Sequence, residues 1–242
     1  MKIAIITGGS RGIGKALVEI YLKNDYQVYS ISRTTSNGAK NLKELSCDLS
    51  NTSATKITFQ KLLRKVDLKN LHEIVLINNA GDLGQITHLE NISENVIDKT
   101  ISLNLTTPLL LSSLFIQQLS TVNCSKRIIN ISSGAAVKPY NGWSLYCSSK
   151  AGLDMATKSI AKEQSFLKNP VKINAIYPGV VETAMQEKIR STSKQDFEEV
   201  QRFVDLKKDN QLYSTTFVAE KIFETDNNNK LANGEITDLR NR

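Results

Sequence analysis

Tyr146 and Lys150 stand four residues apart, a spacing that places both on one face of a helix. A phenol with a pKa of about 10 is a weak acid at neutral pH, and a nearby ammonium favours its ionised form. The pair therefore has the makings of a tuned proton donor, although a chain with this many tyrosines and lysines produces such a spacing by chance. A second chemistry is written near the N-terminus, where Thr7-Gly8-Gly9-Ser10-Arg11-Gly12-Ile13-Gly14 joins an apolar run to a helical pattern. Glycines there let the backbone close on a phosphate at a helix N-terminus. The spacing of Gly8, Gly12 and Gly14 is not G-x-G-x-x-G, and a P-loop match from Gly9 to Gly14-Lys15 fails at Ala16, where a hydroxyl would hold Mg²⁺. Phosphate binding without hydrolysis of a nucleoside triphosphate is the expectation, with a ligand-free turn as the alternative.

About twenty residues further on, where a dinucleotide-binding unit carries an acidic residue for the ribose 2′-hydroxyl, the chain has Ser32-Arg33-Thr34. A guanidinium attracts a 2′-phosphate bidentately. With Arg11, two cations could converge there, which favours NADP over NAD; the alternative is a pair of solvated arginines.

These groups need a scaffold. Apolar runs rich in Ile and Val at residues 2–7, 27–32, 43–47, 73–78, 127–132, 171–177 and 234–238 alternate with helical patterns at 14–24, 53–65, 94–120, 144–167 and 216–224. Strands apolar at consecutive positions are covered on both faces, and repeated strand-then-helix argues an α/β fold with a doubly wound parallel sheet of about seven strands. No repeat or linker interrupts it, so residues 1–242 read as one domain, with an excursion at about 182–211 where the pattern is polar.

Lys and Arg total 31 against 24 Asp and Glu, a net charge of +7. Residues 1–65 hold 11 basic and 4 acidic residues, so the whole excess lies there. With 40% apolar and 23% charged residues, the chain is neither disordered nor membrane-spanning. No interleaving of basic and aromatic residues suggests nucleic-acid binding. Three unpaired cysteines, no leader-like apolar stretch and two loop histidines, His72 and His88, predict a cytoplasmic protein without a disulfide framework or metal site.

The ordered set TGGSRGIG, NNAG, Asn104, Ser133, YCSSK and Tyr177-Pro178-Gly179 resembles the short-chain dehydrogenase/reductase family over nearly the whole chain. The segments around Tyr146, Pro108 and Pro178 are similar to a branch containing bacterial (S)-benzil reductases and, nearby, sepiapterin reductases. The resemblance implies a Rossmann domain, NADP(H) as cofactor and reduction of a small hydrophobic or aromatic ketone or 1,2-diketone. A 3-oxoacyl thioester or pterin substrate, or a non-catalytic NADP sensor, are the other readings. It makes Tyr146 the proton donor, Lys150 the group that lowers its pKa, Ser133 the hydrogen-bond donor to the carbonyl oxygen, and Asn104 the fourth catalytic residue. Pro108 has no N–H for the Asn104 carbonyl four residues back, which suggests a water held there.

The resemblance further assigns cofactor contacts to Gly8, Ser10, Arg11, Gly12, Ile13, Gly14, Arg33, Thr34, Asp48, Leu49, Asn79, Ala80, Gly81, Tyr146, Lys150, Pro178, Gly179, Val181 and Thr183. Val137, Pro139, Tyr140, Trp143 and Met185 are candidate substrate contacts because apolar and aromatic side chains suit a hydrophobic ketone; core packing is their alternative role. Phe197 and Phe203 are candidates for a closing lid. The resemblance also implies a homodimer or homotetramer built on the two long helices. The last strand ends soon after Gly234, which puts a C-terminal contribution to the substrate pocket in doubt.

Overall fold

A computed structural model describes residues 1–35, 38–227 and 231–241. Among them, strands β1 (Lys2–Thr7), β2 (Gln27–Ser32), β3 (Leu42–Ser46), β4 (Glu73–Asn78), β5 (Ser125–Ile131), β6 (Lys172–Tyr177) and β7 (Ile236–Asp238) form one sheet. Its order is β3-β2-β1-β4-β5-β6-β7, and every neighbouring pair is parallel. Helices α1 (Gly12–Lys23), α2 (Thr52–Arg64), α3 (Glu94–Ile101), α4 (Thr107–Leu119), α5 (Ser144–Gln164), α6 (Ala184–Arg190), α7 (Val200–Lys208) and α8 (Thr215–Asn227) complete the α/β fold.

The consecutive apolar residues of each strand serve two cores, because alternate side chains point to opposite faces. Ile3 and Ile5 of β1 pack with Phe59 and Leu62 of α2 and with Leu111 and Phe115 of α4. Their neighbours Ala4 and Ile6 pack with Leu17 and Tyr21 of α1 and with Val218 and Ile222 of α8. This two-sided burial is what the Ile- and Val-rich runs encode.

Residues 94–120 are not one continuous helix. A π turn at Ser102–Thr106 separates α3 from α4, and the Thr107 amide bonds the Ser102 carbonyl, five residues back. Pro108 cannot donate, so the helical ladder is already broken at this point. The wider turn carries Asn104 into the interior, where it is fully buried.

Residues 182–211 contain α6 and α7, which lie outside the sheet. A third apolar cluster joins Ile189, Phe197, Val200 and Phe203 of this region to Leu83, Ile86, Trp143 and Tyr146.

At the amino ends of β4 and β5, opposite the carboxyl ends that carry the site, Arg127 Nε bonds Asp226 Oδ1 at 2.6 Å, and its Nη2 bonds Glu73 and Asp226. Tyr21 donates to Asp226 at 2.9 Å and Tyr26 donates to Glu73. Burial pushes the Glu73 carboxyl up, but its hydrogen bonds from Arg127 and Tyr26 outweigh that and hold it below the ordinary range. Arg127→Met would leave two carboxylates buried without a cation, so a loss of about 3–5 kcal/mol is expected at neutral pH. A folded-state pKa below the unfolded one stabilises above the unfolded pKa and ceases to do so as pH falls through the folded value. The difference in melting temperature between wild type and Arg127→Met should therefore shrink below about pH 4.5; a constant difference down to pH 3 would refute this account.

Candidate functional site

The carboxyl ends of β1, β4, β5 and β6 open onto a cleft of about 1700 Å³. It lies where the strand order reverses between β1 and β4, the point at which successive loops leave a doubly wound sheet in opposite directions. One end is the glycine loop. Gly8 has φ +70°, and a side chain on Gly14 would start 2.1 Å from the Gly8 carbonyl oxygen and 2.5 Å from Asn79 Nδ2, so only glycine permits the approach. Thr7 Oγ1 accepts from the Asn79 and Ala80 amides at 2.9 and 3.0 Å, and Asn79 Nδ2 donates to the Thr7 and Gly8 carbonyls at 2.9 and 3.3 Å. Asn79 thus clamps the loop as well as lining the cleft.

No side chain caps the N-terminus of α1, and its first turn has no acidic residue. Its first amides and the positive end of its dipole lie at the cleft, an arrangement suited to an anion. Arg11 and Arg33 are exposed, line the same end and form no ion pair among the described residues. Asp48 accepts from the Ser50 amide at 3.0 Å and its hydroxyl at 2.8 Å; these bonds, with help from Arg33, hold its carboxyl below the ordinary range. The uncapped helix and the tight glycine cradle fit the phosphates of a dinucleotide.

At the other end Ser132 and Ser133 leave β5 and meet the first turns of α5. Lys150 is 4% exposed and donates to the Ile131 carbonyl at 2.8 Å. Its Nζ lies 5.7 Å from the centre of the Tyr146 ring. A side chain on Gly81 would start 3.7 Å from Lys150 Nζ and 3.4 Å from Asn104 Oδ1, so the small residue keeps open the space they share. Burial pushes the Tyr146 hydroxyl up to about 12, with the Ser133 hydroxyl pulling the other way. Burial likewise drives Lys150 down to about 8, partly offset by Asp154. The expected lowering of the Tyr146 pKa by Lys150 is therefore not what the free protein has. Taking each group out of water favours its neutral form, and that outweighs an ammonium whose hydrogen bond goes to backbone.

Asp154 lies one turn beyond Lys150 on α5 and accepts a hydrogen bond from Tyr177. Its carboxyl is raised by burial. Asn104 does not line the cleft. Its Nδ2 donates to the Asp82 carbonyl at 2.7 Å and to Ser149 Oγ at 3.2 Å, while its Oδ1 accepts from the Asp82 amide at 2.9 Å. Its side chain holds the loop after β4 against α5.

All the other residues assigned to cofactor or catalysis line the cleft. So do Val137, Tyr140, Trp143 and Met185, whereas Pro139 is exposed outside it. Val137 is 76% exposed and Trp143 only 5%, so Trp143 is a wall and Val137 a rim. Phe197 and Phe203 are not a mobile flap. Phe197 is fully buried and stacked on Trp143 at 4.8 Å and 11°, with Phe203 tilted 5.5 Å from the same indole. Their rings anchor the excursion. Lys188 of α6 donates to the Gly84 carbonyl at 2.6 Å and meets Asp82 at 3.4 Å, which ties α6 to the loop after β4.

Several lining residues were not anticipated: Asp82, Lys99, Lys188 and Arg202, and from the C-terminus Asp238 and Arg240. They are charged residues of loops, helix surfaces and, for Asp238, the last position of β7, with no pattern to separate them from solvated ones. The C-terminal pair does reach the pocket. Among the described residues no group of three His, Cys, Asp or Glu is placed to hold a metal ion, and no helix is long and apolar enough to cross a membrane.

Residues 2–194 match the family described as short chain dehydrogenase. The chain belongs to that family. It is 41% identical to a benzil reductase ((S)-benzoin forming) of Bacillus subtilis (strain 168) over 90% of each chain. With the benzil reductase ((S)-benzoin forming) of Bacillus cereus it shares 36% identity over 98% of each. Among solved structures, a 4-hydroxyisoleucine dehydrogenase complexed with NADH aligns over 99% of this chain and 97% of its own, with TM-score 0.81 and 25% identity. ElxO with NADP bound aligns over 98% and 96%, with TM-score 0.78 and 26% identity. As a short-chain dehydrogenase the protein is an oxidoreductase acting on C=O and CH–OH groups with a nicotinamide dinucleotide.

The depressed Lys150 pKa can be read from stability. Below about pH 8 both folded and unfolded states carry the ammonium, and the folded state bears its burial cost. Between about 8 and the unfolded value of about 10.4 the folded state sheds the proton and the cost falls. Wild type should therefore gain stability relative to Lys150→Met as pH rises from 8 to 10 in urea titrations. A gain in the opposite direction would show that Lys150 is stabilised as a cation.

Proposed function

We propose that the protein is an NADPH-dependent carbonyl reductase of small hydrophobic or aromatic ketones, 1,2-diketones among them. The observation that carries this reading is the meeting, in one cleft, of the Tyr146 and Ser133 hydroxyls and the Lys150 ammonium with an uncapped helix N-terminus flanked by Arg11 and Arg33. When bound, the reduced nicotinamide supplies the hydride. Tyr146, whose raised pKa keeps the phenol protonated at neutral pH, gives its proton to the carbonyl oxygen. Ser133 donates a hydrogen bond to the same oxygen and stabilises the charge that develops on it. Lys150, still mainly protonated at pH 7 with a pKa of about 8, steadies the tyrosinate left behind and holds the ribose hydroxyls. Asn104 positions the loop after β4 and, through Ser149, the helix that carries both.

Gly8, Ser10, Gly12, Ile13 and Gly14 would hold the bridging phosphates, with Arg11, Arg33 and Thr34 at the 2′-phosphate and Asp48 and Leu49 beside the adenine. Ala80, Gly81, Pro178, Gly179, Val181 and Thr183 would line the rest of the dinucleotide. The 2′-phosphate preference rests on the two unpaired guanidinium groups. Trp143, Tyr140, Met185 and the rim residue Val137 bound the substrate end with apolar surface, in keeping with relatives named as benzil reductases. The exposed Leu109 of α4 and Met155 of α5 support pairing of these helices with a second copy.

The test is a screen of NADPH oxidation with aromatic diketones, acyl thioesters and pterins, repeated with NADH. Aromatic diketones should be reduced fastest; a clear preference for thioesters or pterins would move the substrate class. Arg11→Ala with Arg33→Ala should raise the KM for NADPH by at least about tenfold, the scale of losing charge-assisted bonds, while leaving that for NADH nearly unchanged. Equal effects on both cofactors would remove the 2′-phosphate assignment. Tyr146→Phe should lower kcat by about 10²-fold or more with NADPH binding retained, because only the donated proton is lost. Retained turnover would exclude Tyr146 as the acid.

A further inference from the structure

The end of the chain brings a charged pair to the substrate side of the cleft. Asp238 closes β7, and Arg240 follows in a short 3-10 turn at Leu239–Asn241. Arg240 Nε bonds both Asp238 oxygens at 2.9 and 3.0 Å, its Nη2 bonds Asp238 Oδ2, and its backbone amide donates to Asp238 Oδ1 at 2.9 Å. Three guanidinium bonds to one carboxylate fix its plane, and the backbone bond holds the turn. Its stem passes over Gly179, where Arg240 Cγ lies 3.3 Å from the point at which a side chain would begin, and a Tyr213 ring carbon lies 2.9 Å from that same point. Its Nη2 lies 3.6 Å from the corresponding point on Gly134, the residue directly after Ser133. Gly179, at φ +79° with Tyr213 and Arg240 packed over it, leaves no space for a side chain under the Arg240 stem, and the guanidinium lies beside Gly134, next in the chain to Ser133. Nη1 has no hydrogen-bond partner among the described residues.

From this geometry we infer that Arg240 is a specificity-determining residue. It donates a hydrogen bond to a second carbonyl oxygen adjacent to the one being reduced, so that the site selects vicinal dicarbonyls over simple ketones. Asp238 matters to the choice of ligand. Its carboxylate is held low by the Arg240 bonds and cancels the guanidinium charge, so the pair offers a directed N–H with no net charge. Such a donor suits a neutral carbonyl oxygen and gives a free carboxylate no electrostatic gain. A diketone can bond Ser133 and Tyr146 with one oxygen and Arg240 with the next. A monoketone of the same shape leaves the guanidinium hydrogen without an acceptor. The inference rests on the carbonyl-reductase reading of the cleft.

The test compares benzil with deoxybenzoin, which keeps both rings and replaces one carbonyl by a methylene. Arg240→Met retains the stem over Gly179 and should leave NADPH binding unchanged, with a lower melting temperature because the largely buried Asp238 loses its partner. It should lower kcat/KM for benzil by about tenfold to a hundredfold, the range for a bond donated by a charged group, and change that for deoxybenzoin by less than about threefold. Arg240→Lys, which keeps a donor, should retain more of the benzil rate than Arg240→Met. Equal losses on both ketones, an unchanged benzil rate, or weakened NADPH binding in Arg240→Met would overturn the inference. If wild type reduces neither ketone with NADPH or NADH, the carbonyl-reductase reading itself fails for these compounds and the inference falls with it.

Discussion

The reversal of strand order between β1 and β4 is the constraint on which the site depends. Loops on the two sides of that boundary turn away from each other, which leaves a crevice at the carboxyl ends of the strands. The crevice has useful chemistry only because its floor is tightly closed. Gly14 touches the Gly8 carbonyl more closely than any side chain allows, and Asn79 reaches from the end of β4 to bond the carbonyls of Thr7 and Gly8. The two halves of the sheet are joined at the point where a dinucleotide would cross from one to the other. The α1 amides are left uncapped at the same place, so the scaffold supplies binding energy for an anion without a dedicated side chain.

Burial sets the electrostatics of the opposite end. Tyr146 and Lys150 lie on one helix face, out of water, and each is driven toward its neutral form. The tyrosine therefore keeps its proton until a ligand supplies somewhere for it to go. The lysine, brought down to about 8, stays mainly protonated at neutral pH but close enough to titration that its surroundings can alter its charge. Asp154, one turn further on, is itself raised by burial and tied to Tyr177. Lys150 and Asp154 each act on the other's charge, whereas burial and the Ser133 hydroxyl set the Tyr146 phenol.

The substrate end is built by a different kind of packing. Trp143, Phe197 and Phe203 form an aromatic cluster that anchors α6 and α7 to the body of the protein. Lys188 bonds across to the loop after β4. The walls are thus apolar, while the polar groups that line the cleft there, Ser133 and the Asp238–Arg240 pair, come from the end of β5 and from the C-terminal segment.

Local pattern was enough for the alternating strands and helices, because two-sided burial writes continuous Ile and Val runs, and glycine writes itself wherever backbone must touch backbone. The glycine loop, Arg33, Ser133, Tyr146 and Lys150 sit in short motifs that pointed to one cleft, the last three through the family resemblance, and all of them line it. The break in residues 94–120 was half legible. Pro108 marks a missing donor, but only the packed structure shows the ladder shifting to a π turn and Asn104 turning inward to bond Asp82 and Ser149. The buried role of Phe197 and Phe203, the raised Tyr146 pKa and the arrival of Arg240 beside Gly134 had no local signature. Each depends on groups far apart in the chain meeting in space, where the extent of desolvation and the identity of the neighbour are properties of the assembled fold alone.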